Sequence, residues 1–466
     1  MNEQTDVPVI LHSKLNMVSF GVGSTIRNVI EQALVFMLYF YYVAEVGLDI
    51  FLVGLGLVIY AIWDAINDPI VGYITDRPYS FTKKWGRRFP WILIFFIPML
   101  ISFLLIFNPP SVSPKEQPLI LFGWLVFTTC LFDTFESFWT INYFGLFPDK
   151  FRDTNERITA AGIGVYIGFI GVMLGFILPP AIVTFGDLES YIIMSWFIVI
   201  FSIVCWLLFL PGVKDDKELV VYYLEHYEKV KKDSLIKVLK ESIKQKNFSI
   251  FLIMYLGYNL ILTIMTASLP FAVRYILKQP AGFAIYLVLC MMGGGLIGCI
   301  IWMKITRKSG NNRKTILISG SIMSVSAMII SIVGTSPIGF MILLFILGLG
   351  LGGFWAMVQP TLADVVDESI IETGKRREGI LGAFRFFMGN VAKVIMALTL
   401  ATVHIFTGFV EGSEKQPPLA LIGIQLHMGL IPGLMMAIGL LLFWKYYDIT
   451  PEKVKMIKQK LLELKI

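Results

Sequence analysis

Trp63-Asp64-Ala65-Ile66-Asn67-Asp68-Pro69 sets two carboxylates and an amide inside an apolar run that begins near Phe51. An acid near the centre of a bilayer costs about 2.5–3.5 kcal/mol on insertion scales, so such residues face a water-filled cavity or an ion path. Asp64 and Asp68 fall on one helical face with Asn67 beside them. Two carboxylates and an amide carbonyl make an oxygen-rich pocket suited to a hard cation such as Na⁺, or to a proton shared between the acids. Pro69 removes a backbone donor and frees the carbonyl of Ala65, a further oxygen at the same depth.

The elements that must position these groups are membrane spans. The chain has 466 residues, of which 56% are hydrophobic and 15% charged, and its mean hydropathy is +0.74. This is too apolar for a soluble domain and predicts an all-α, multi-pass membrane protein. Twelve apolar runs are long enough to cross: 17–44, 51–75, 90–108, 118–147, 158–184, 190–210, 248–275, 281–306, 314–334, 337–365, 378–408 and 418–446. Loops after even-numbered spans are basic (Arg77, Lys83, Lys84, Arg87 and Arg88; Lys150, Arg152 and Arg157; Arg307 to Lys314; Lys375 to Arg377), whereas the opposite loops hold only Lys115, Arg274, Lys278 and Lys415. The positive-inside rule then puts the basic loops, both termini and the Lys-rich tail 447–466 in the cytoplasm of a cell membrane. A polar start with no apolar signal core argues for an uncleaved N-terminus. The four cysteines lie in apolar runs, as small hydrophobes rather than a disulfide or metal set.

Further charges lie within the spans. Arg27 and Glu31 are one helical turn apart on span 1; Asp133, Glu136 and Ser137 share a face of span 4; Arg385 and Lys393 share a face of span 11. Counted inward at about 1.5 Å per residue, Asp68 and Arg385 reach similar depth, with Asp64 and Lys393 deeper, a placement that fits counter-ions keeping a cavity neutral. Glu31, Asp64, Asp68, Asp133 and Glu136 outnumber Arg27, Arg385 and Lys393 by two, a deficit that a bound cation partly fills. His404 and His427 read as lone packing residues near the outer ends of spans 11 and 12. Gly162, Gly164, Gly168, Gly171 and Gly175 on span 5, and Gly293, Gly294, Gly295 and Gly298 on span 8, read as close-packed surfaces between the two halves of the protein. At the cytoplasmic ends, Asp76, Arg77, Arg87, Arg88, Arg157, Asp364, Asp367, Arg376 and Arg377 could pair as a gate, or serve only as topology determinants.

A polar segment, 212–247, divides the chain into a bundle over 1–211 and a second over 248–446; its interspersed charges suit a cytoplasmic amphipathic linker and not a nucleic-acid site. The loop ending Gly86-Arg87-Arg88 answers the loop from Lys304 to Lys314, so the halves read as a repeat, as in many secondary transporters.

The span 2 motif, followed by Gly72, Asp76 and Gly86-Arg87-Arg88-x-Pro90-Trp91, resembles the signature of the glycoside-pentoside-hexuronide:cation symporters, the melibiose-permease-like branch of the major facilitator superfamily. Ser13-Lys14-Leu15, Glu156-Arg157, Phe354-Trp355, Ala363-Asp364-Val365-Val366-Asp367 and Glu378 extend the likeness along nearly the whole chain. The resemblance implies a twelve-helix major facilitator fold in two six-helix bundles, and a coupling-cation site formed by Asp64, Asn67, Asp68 and the hydroxyl of Ser137. It also implies a substrate cavity taking in Arg27, Asn28, Glu31, Asp133, Glu136, Thr140, Phe144, Trp355, Gln359, Arg385, Asn390 and Lys393. The sugar-contacting pattern departs from the family: Asn28 and Thr140 stand in place of acids, Phe144 in place of Trp, Val165 in place of Arg and Asn390 in place of Lys, while Trp355 is kept.

The expectation is therefore a monomeric symporter, without cofactor, that couples Na⁺ or H⁺ to a small organic solute. A sugar, glycoside or uronide is favoured, with poor handling of simple galactosides. The alternative is an amphiphile carrier similar to the lysophospholipid symporters. A channel would not need two six-helix halves, and no nucleophile-base or metal set points to an enzyme.

Overall fold

A computed structural model of the chain describes residues 10–225, 245–333, 336–373 and 378–463. Among them are twelve long helices: α1 Lys14–Phe40, α2 Ile50–Thr75, α3 Phe89–Ile106, α4 Pro118–Lys150, α5 Thr154–Ile182, α6 Leu188–Val213, α7 Lys246–Phe271, α8 Phe283–Ser309, α9 Asn312–Val333, α10 Pro337–Thr373, α11 Glu378–Thr407 and α12 Pro418–Tyr446. Short polar side chains start several of them. Ser13 caps α1 through the Asn16 amide, Asp49 caps α2 through Leu52, and Asp153 caps α5 through Glu156.

Eleven of these helices are long and apolar enough to cross a membrane. The other is α1, whose 27 residues include Arg27, Asn28, Glu31 and Gln32. Its length suffices, and its polarity is what a helix lining a cavity carries. Both α4 and α10 run past the apolar windows read from sequence, so that Asp149, Lys150 and Asp367 sit on helical extensions.

The chain divides into two compact units, Met1–Val230 and Lys231–Ile466. The internal pairings of the first unit are α1 with α5 and α6, α2 with α4, and α3 with α4 and α6; the second repeats them as α7 with α11 and α12, α8 with α10, and α9 with α10 and α12. The first helix of each set also ends alike. α1 passes into a π-turn at Tyr41–Glu45, and α7 into one at Ala272–Ile276. The repeat that the sequence showed only in two loops is therefore present in the whole packing scheme. Of the linker, Lys217–Glu225 is helical, and 226–244 lies outside the described residues.

The glycine stripes join helices inside one unit, which corrects the expectation of a surface between halves. A Cβ on Gly171 would approach the Thr25 Cα to 2.6 Å, and one on Gly175 would meet the Asn28 carbonyl oxygen at 2.9 Å, so α5 lies against α1 with backbone nearly touching backbone. Gly294 and Gly298 face the carbonyls of Phe345 and Leu349 on α10 in the same way. Around Gly162, Gly164 and Gly293 the space is open.

Candidate functional site

The α2–α4 contact assembles the first part of the site. The Trp63 indole N–H donates to Thr134 Oγ1 at 3.0 Å and sets the rotation of one helix against the other. One turn further along α2, Asn67 Nδ2 donates to Asp133 Oδ2 at 3.1 Å, and Ser137 Oγ donates to Asp68 Oδ1 at 2.7 Å. Asp64, Asn67, Asp133 and Ser137 are all buried, at 6%, 4%, 3% and 1% exposure. Burial at this level requires that the charges be satisfied, and neither Asp64 nor Asp68 is without a partner. Committing the Asn67 nitrogen to Asp133 leaves Oδ1 as the oxygen that its amide can offer a cation. Donating its proton to Asp68 likewise leaves the Ser137 hydroxyl with lone pairs to spare. These oxygens suit Na⁺.

A second cluster lies one residue away on α4. Arg27 Nη1 pairs with Glu31 Oε2 at 2.9 Å, and Arg27 Nε lies 3.3 Å from Glu136 Oε1, which also accepts from Thr140 Oγ1 at 2.6 Å. The guanidinium carbon stands 5.7 Å from the Phe144 ring centre. Asp68 is near enough for its charge to be felt at both Arg27 and Glu136. Of the predicted cavity residues on α1 and α4, Arg27, Glu31, Glu136, Thr140 and Phe144 are thus brought together. Asn28 uses its amide donor on the Gly168 carbonyl at 2.9 Å, holding α1 to α5.

In the second unit, the Trp355 indole donates to Tyr258 Oη at 3.0 Å, and Tyr258 stacks on Phe354 with centroids 5.0 Å apart. Arg385 lies over the Tyr255 ring at 5.7 Å. Gln359 is exposed, and Asn390 and Lys393 are half-buried. Tyr255 and Tyr258 were not singled out in the sequence, where aromatic residues at this spacing read as core. The histidines are not lone. His404 Nε2 and His427 Nε2 are 3.0 Å apart, and His427 Nδ1 is 2.7 Å from Ser268 Oγ, in a fully buried group closed by Phe271 and Phe409.

At the end of the first unit that carries the Lys83–Arg88 loop, Asp76 Oδ1 holds Arg87 at 3.0 Å and Arg88 at 3.1 Å, and Asp149 Oδ2 adds longer contacts of 3.5 and 3.6 Å. Tyr223 covers Arg87 at 4.3 Å and donates to the Asp76 carbonyl. The sequence reading paired charges from both halves, whereas these pairs are all within one unit. Arg77 stacks instead on Tyr73, Arg157 donates to the Phe151 carbonyl, and Asp364 accepts from Asn312. Asp367 is half-buried on α10, and Arg376 and Arg377 lie outside the described residues. Missed altogether was a layer beneath. His12 Nδ1 meets Glu156 at 2.9 Å and its Nε2 meets Asp216 at 3.0 Å, while Lys150 Nζ donates to the Lys214 carbonyl. A small cavity of about 40 Å³ opens here, between Arg87, Lys150, Asp215 and Tyr223.

Asp215 in that layer accepts from the Arg88 and Phe89 amides, both at 3.0 Å, and so caps the start of α3. Burial pushes its carboxyl above the ordinary value. A carboxyl raised by folding holds its proton better in the native than in the unfolded state. Its contribution to stability is therefore complete below about 4 and fades as pH climbs through the raised value. Asp215→Asn keeps an acceptor without the charge, and is expected to flatten that part of a Tm-against-pH profile. Asp215→Ala strips the cap and should lose about 1–3 kcal/mol at every pH. A wild-type profile in the Asn variant would show that another group titrates.

Two repeated six-helix units define the class, a major facilitator transporter, and solved structures agree with the fold. The nucleoside transporter NupG aligns at TM-score 0.65 and 13% identity over 93% of this chain and 100% of its own. The D-xylose-proton symporter aligns at 0.60 and 13% over 93% and 95%. Residues 19–450 match the MFS/sugar transport protein family, and the chain belongs to it as a cation-coupled, multi-pass membrane symporter of the glycoside-pentoside-hexuronide:cation group, not an enzyme. Relatives divide by cargo. The sodium-dependent lysophosphatidylcholine symporter 1-A of Danio rerio is 23% identical over 92% of this chain and 85% of its own length. The isoprimeverose transporter of Lactiplantibacillus pentosus is 24% identical over 91% and 87%.

Proposed function

We propose that this protein carries a glycoside-like solute together with Na⁺ or H⁺ by alternating access, as a monomer with both termini in the cytoplasm. Asp64, Asn67, Asp68 and Ser137 bind the cation in this reading, and the Arg27–Glu136 cluster faces the solute. One observation supports it above others: Glu136 and Ser137 are consecutive on α4, the first held by Arg27 and the second bonded to Asp68. A cation drawn to Asp68 and Ser137 therefore shifts the charge balance and the rotation of the helix that presents Glu136. That is the physical content of a coupling free energy between two sites. The Asp76, Arg87, Arg88 and Asp149 pairs serve as a lock that stabilises one end of the first unit in one state of the cycle.

The amphiphile reading retains support in the lysophosphatidylcholine relatives and in the loss of charge at Asn28, Thr140 and Asn390. Proteoliposomes separate the readings. Saturable, counterflow-competent glycoside uptake, stimulated by a Na⁺ or H⁺ gradient, is expected; lysophosphatidylcholine uptake without any glycoside uptake would replace this proposal by the amphiphile one. Labelling of a cysteine at Lys83 by an impermeant reagent outside intact cells would reverse the orientation.

A further inference from the structure

We infer that His12 is a proton-operated clasp for the linker: as the imidazolium it ties Glu156, at the head of α5, to Asp216, at the start of the linker, and on losing its proton it lets the linker go. Both ring nitrogens face carboxylate oxygens, Nδ1 at 2.9 Å from Glu156 Oε1 and Nε2 at 3.0 Å from Asp216 Oδ2. A neutral imidazole has one N–H and one lone pair, so it would set a lone pair against one of the carboxylates. The doubly protonated ring satisfies both. On Glu156 the proton would be worse placed. Its Oε1 already accepts from the His12 amide at 2.6 Å, and its Oε2 is buried with no hydrogen-bond partner among the described residues, so an acid proton there would find no acceptor. Burial adds to the demand: the His12 and Glu156 side chains are 7% and 4% exposed, and a carboxylate so enclosed needs a paired cation.

The other charges at this joint are committed elsewhere. Lys150, at the end of α4, donates to the Lys214 carbonyl and pairs with Asp216 at 3.8 Å, which leaves His12 as the ion-pair partner of Glu156 among the described residues. Asp153 accepts from the Glu156 amide, Asp149 faces Arg87 and Arg88, and Asp215 caps α3. Phe151 meets the imidazole edge-on and brings no charge. Of the two carboxylates on the ring, Glu156 is fixed in α5 and also bonded to the His12 amide, so Asp216 is the one that can move when the ring becomes neutral. With it goes the helix Lys217–Glu225, whose Tyr223 covers Arg87. The second unit joins the start of its first helix to the segment after its last by different chemistry. There Asn247 Nδ2 donates to Glu368 and Asp448, and Lys453 pairs with both carboxylates. An amide and a lysine keep their charge state through neutral pH, so of the two joints it is the one in the first unit that answers to protons.

The test introduces Leu219→Cys, at a position 7% exposed, or Val221→Cys, at one 49% exposed, into the purified full-length protein and follows alkylation of that site by peptide mass. Dividing the first rate by the second removes the pH dependence of the thiol itself. From about pH 6 to about pH 9, a range that spans the ordinary imidazole value of about 6.5, this ratio is expected to rise about tenfold or more, the equivalent of one charge-assisted hydrogen bond. The linker is thus held at the acid end and released at the alkaline end. His12→Gln offers a neutral donor to two acceptors and should label fast throughout, whereas His12→Arg, a permanent cation whose fork suits two carboxylates, should label slowly throughout. Asp216→Asn leaves the His12–Glu156 contact in place and should also lose the rise. Neither Na⁺ nor a solute enters the measurement, so its outcome is independent of the symporter reading. A ratio that does not change with pH in the otherwise wild-type protein would overturn the clasp. So would an undiminished rise in His12→Gln, which would assign the titration to another group such as Asp215, or an undiminished rise in Asp216→Asn.

Discussion

Asp68→Asn is expected to abolish cation stimulation of solute binding while leaving a folded protein. The substitution keeps the volume of the side chain and an oxygen that can still accept from Ser137. What it removes is the negative charge that a cation must find to leave water. Losing one charge-assisted contact of about 1.5–3 kcal/mol weakens cation affinity about ten- to a hundredfold at 1.4 kcal/mol per decade. Linkage then requires that whatever the cation adds to solute affinity be lost to the same extent, because a ligand that no longer binds cannot raise the affinity of its partner. Asp64→Asn should behave alike. Ser137→Ala, which removes a neutral ligand and a donor to Asp68, should show a smaller loss. Solute affinity is measured with and without Na⁺, and across pH, so that a proton taking the place of Na⁺ is seen. Full Na⁺ stimulation in well-folded Asp64→Asn and Asp68→Asn proteins would place the coupling site elsewhere.

What could be read from the sequence follows the cost of the residue. Asp64, Asp68, Arg27 and Glu31 stand out because charge in an apolar run is rare, and helical spacing alone pairs Arg27 with Glu31, as found at 2.9 Å. The Glu136 side of that guanidinium was invisible, since nothing in either helix dictates how α1 rotates against α4. The twelve spans were legible from length and hydropathy, including α1, whose polar residues lower its hydropathy without shortening it. The contacts of His12 with Glu156 and Asp216 join residues 144 and 204 positions apart, and no period in the chain connects them. His404 and His427 pair for the same reason unseen: their depths were readable, but not the angle at which α11 and α12 meet. Small-residue spacing correctly marked α5 and α8 as close-packed helices and could not say against what. Sequence spacing gives a face, and only packing gives the neighbour.

That neighbour makes Gly352 the position where the smallest change should do most harm. Gly348 and Gly352 on α10 are one turn apart and pack on the α8 stripe of Gly294, Gly295 and Gly298. A Cβ added at Gly352 would fall on the Gly295 carbonyl, the Cys299 amide and, at 2.7 Å, the Gly298 carbonyl carbon. All three are backbone atoms within a helix, so no rotamer can yield and the two helices must separate along the contact. Overpacking of a core typically costs about 1–3 kcal/mol, where side chains can adjust. Here the separation also forfeits the van der Waals contact that holds helices together where lipid is as apolar as they are. Gly352→Ala is therefore expected at or above the top of that range, and Gly352→Leu should prevent accumulation of folded protein. Gly293→Ala, where nothing lies within 4 Å of the added carbon, is the matched control; the better helix propensity of alanine makes it neutral or slightly stabilising, by up to about 1 kcal/mol. Thermal unfolding of the purified variants, with folded yield from membranes, measures both. A Gly352→Leu protein as abundant and stable as the Gly293→Ala control would mean that α8 and α10 are not in backbone contact.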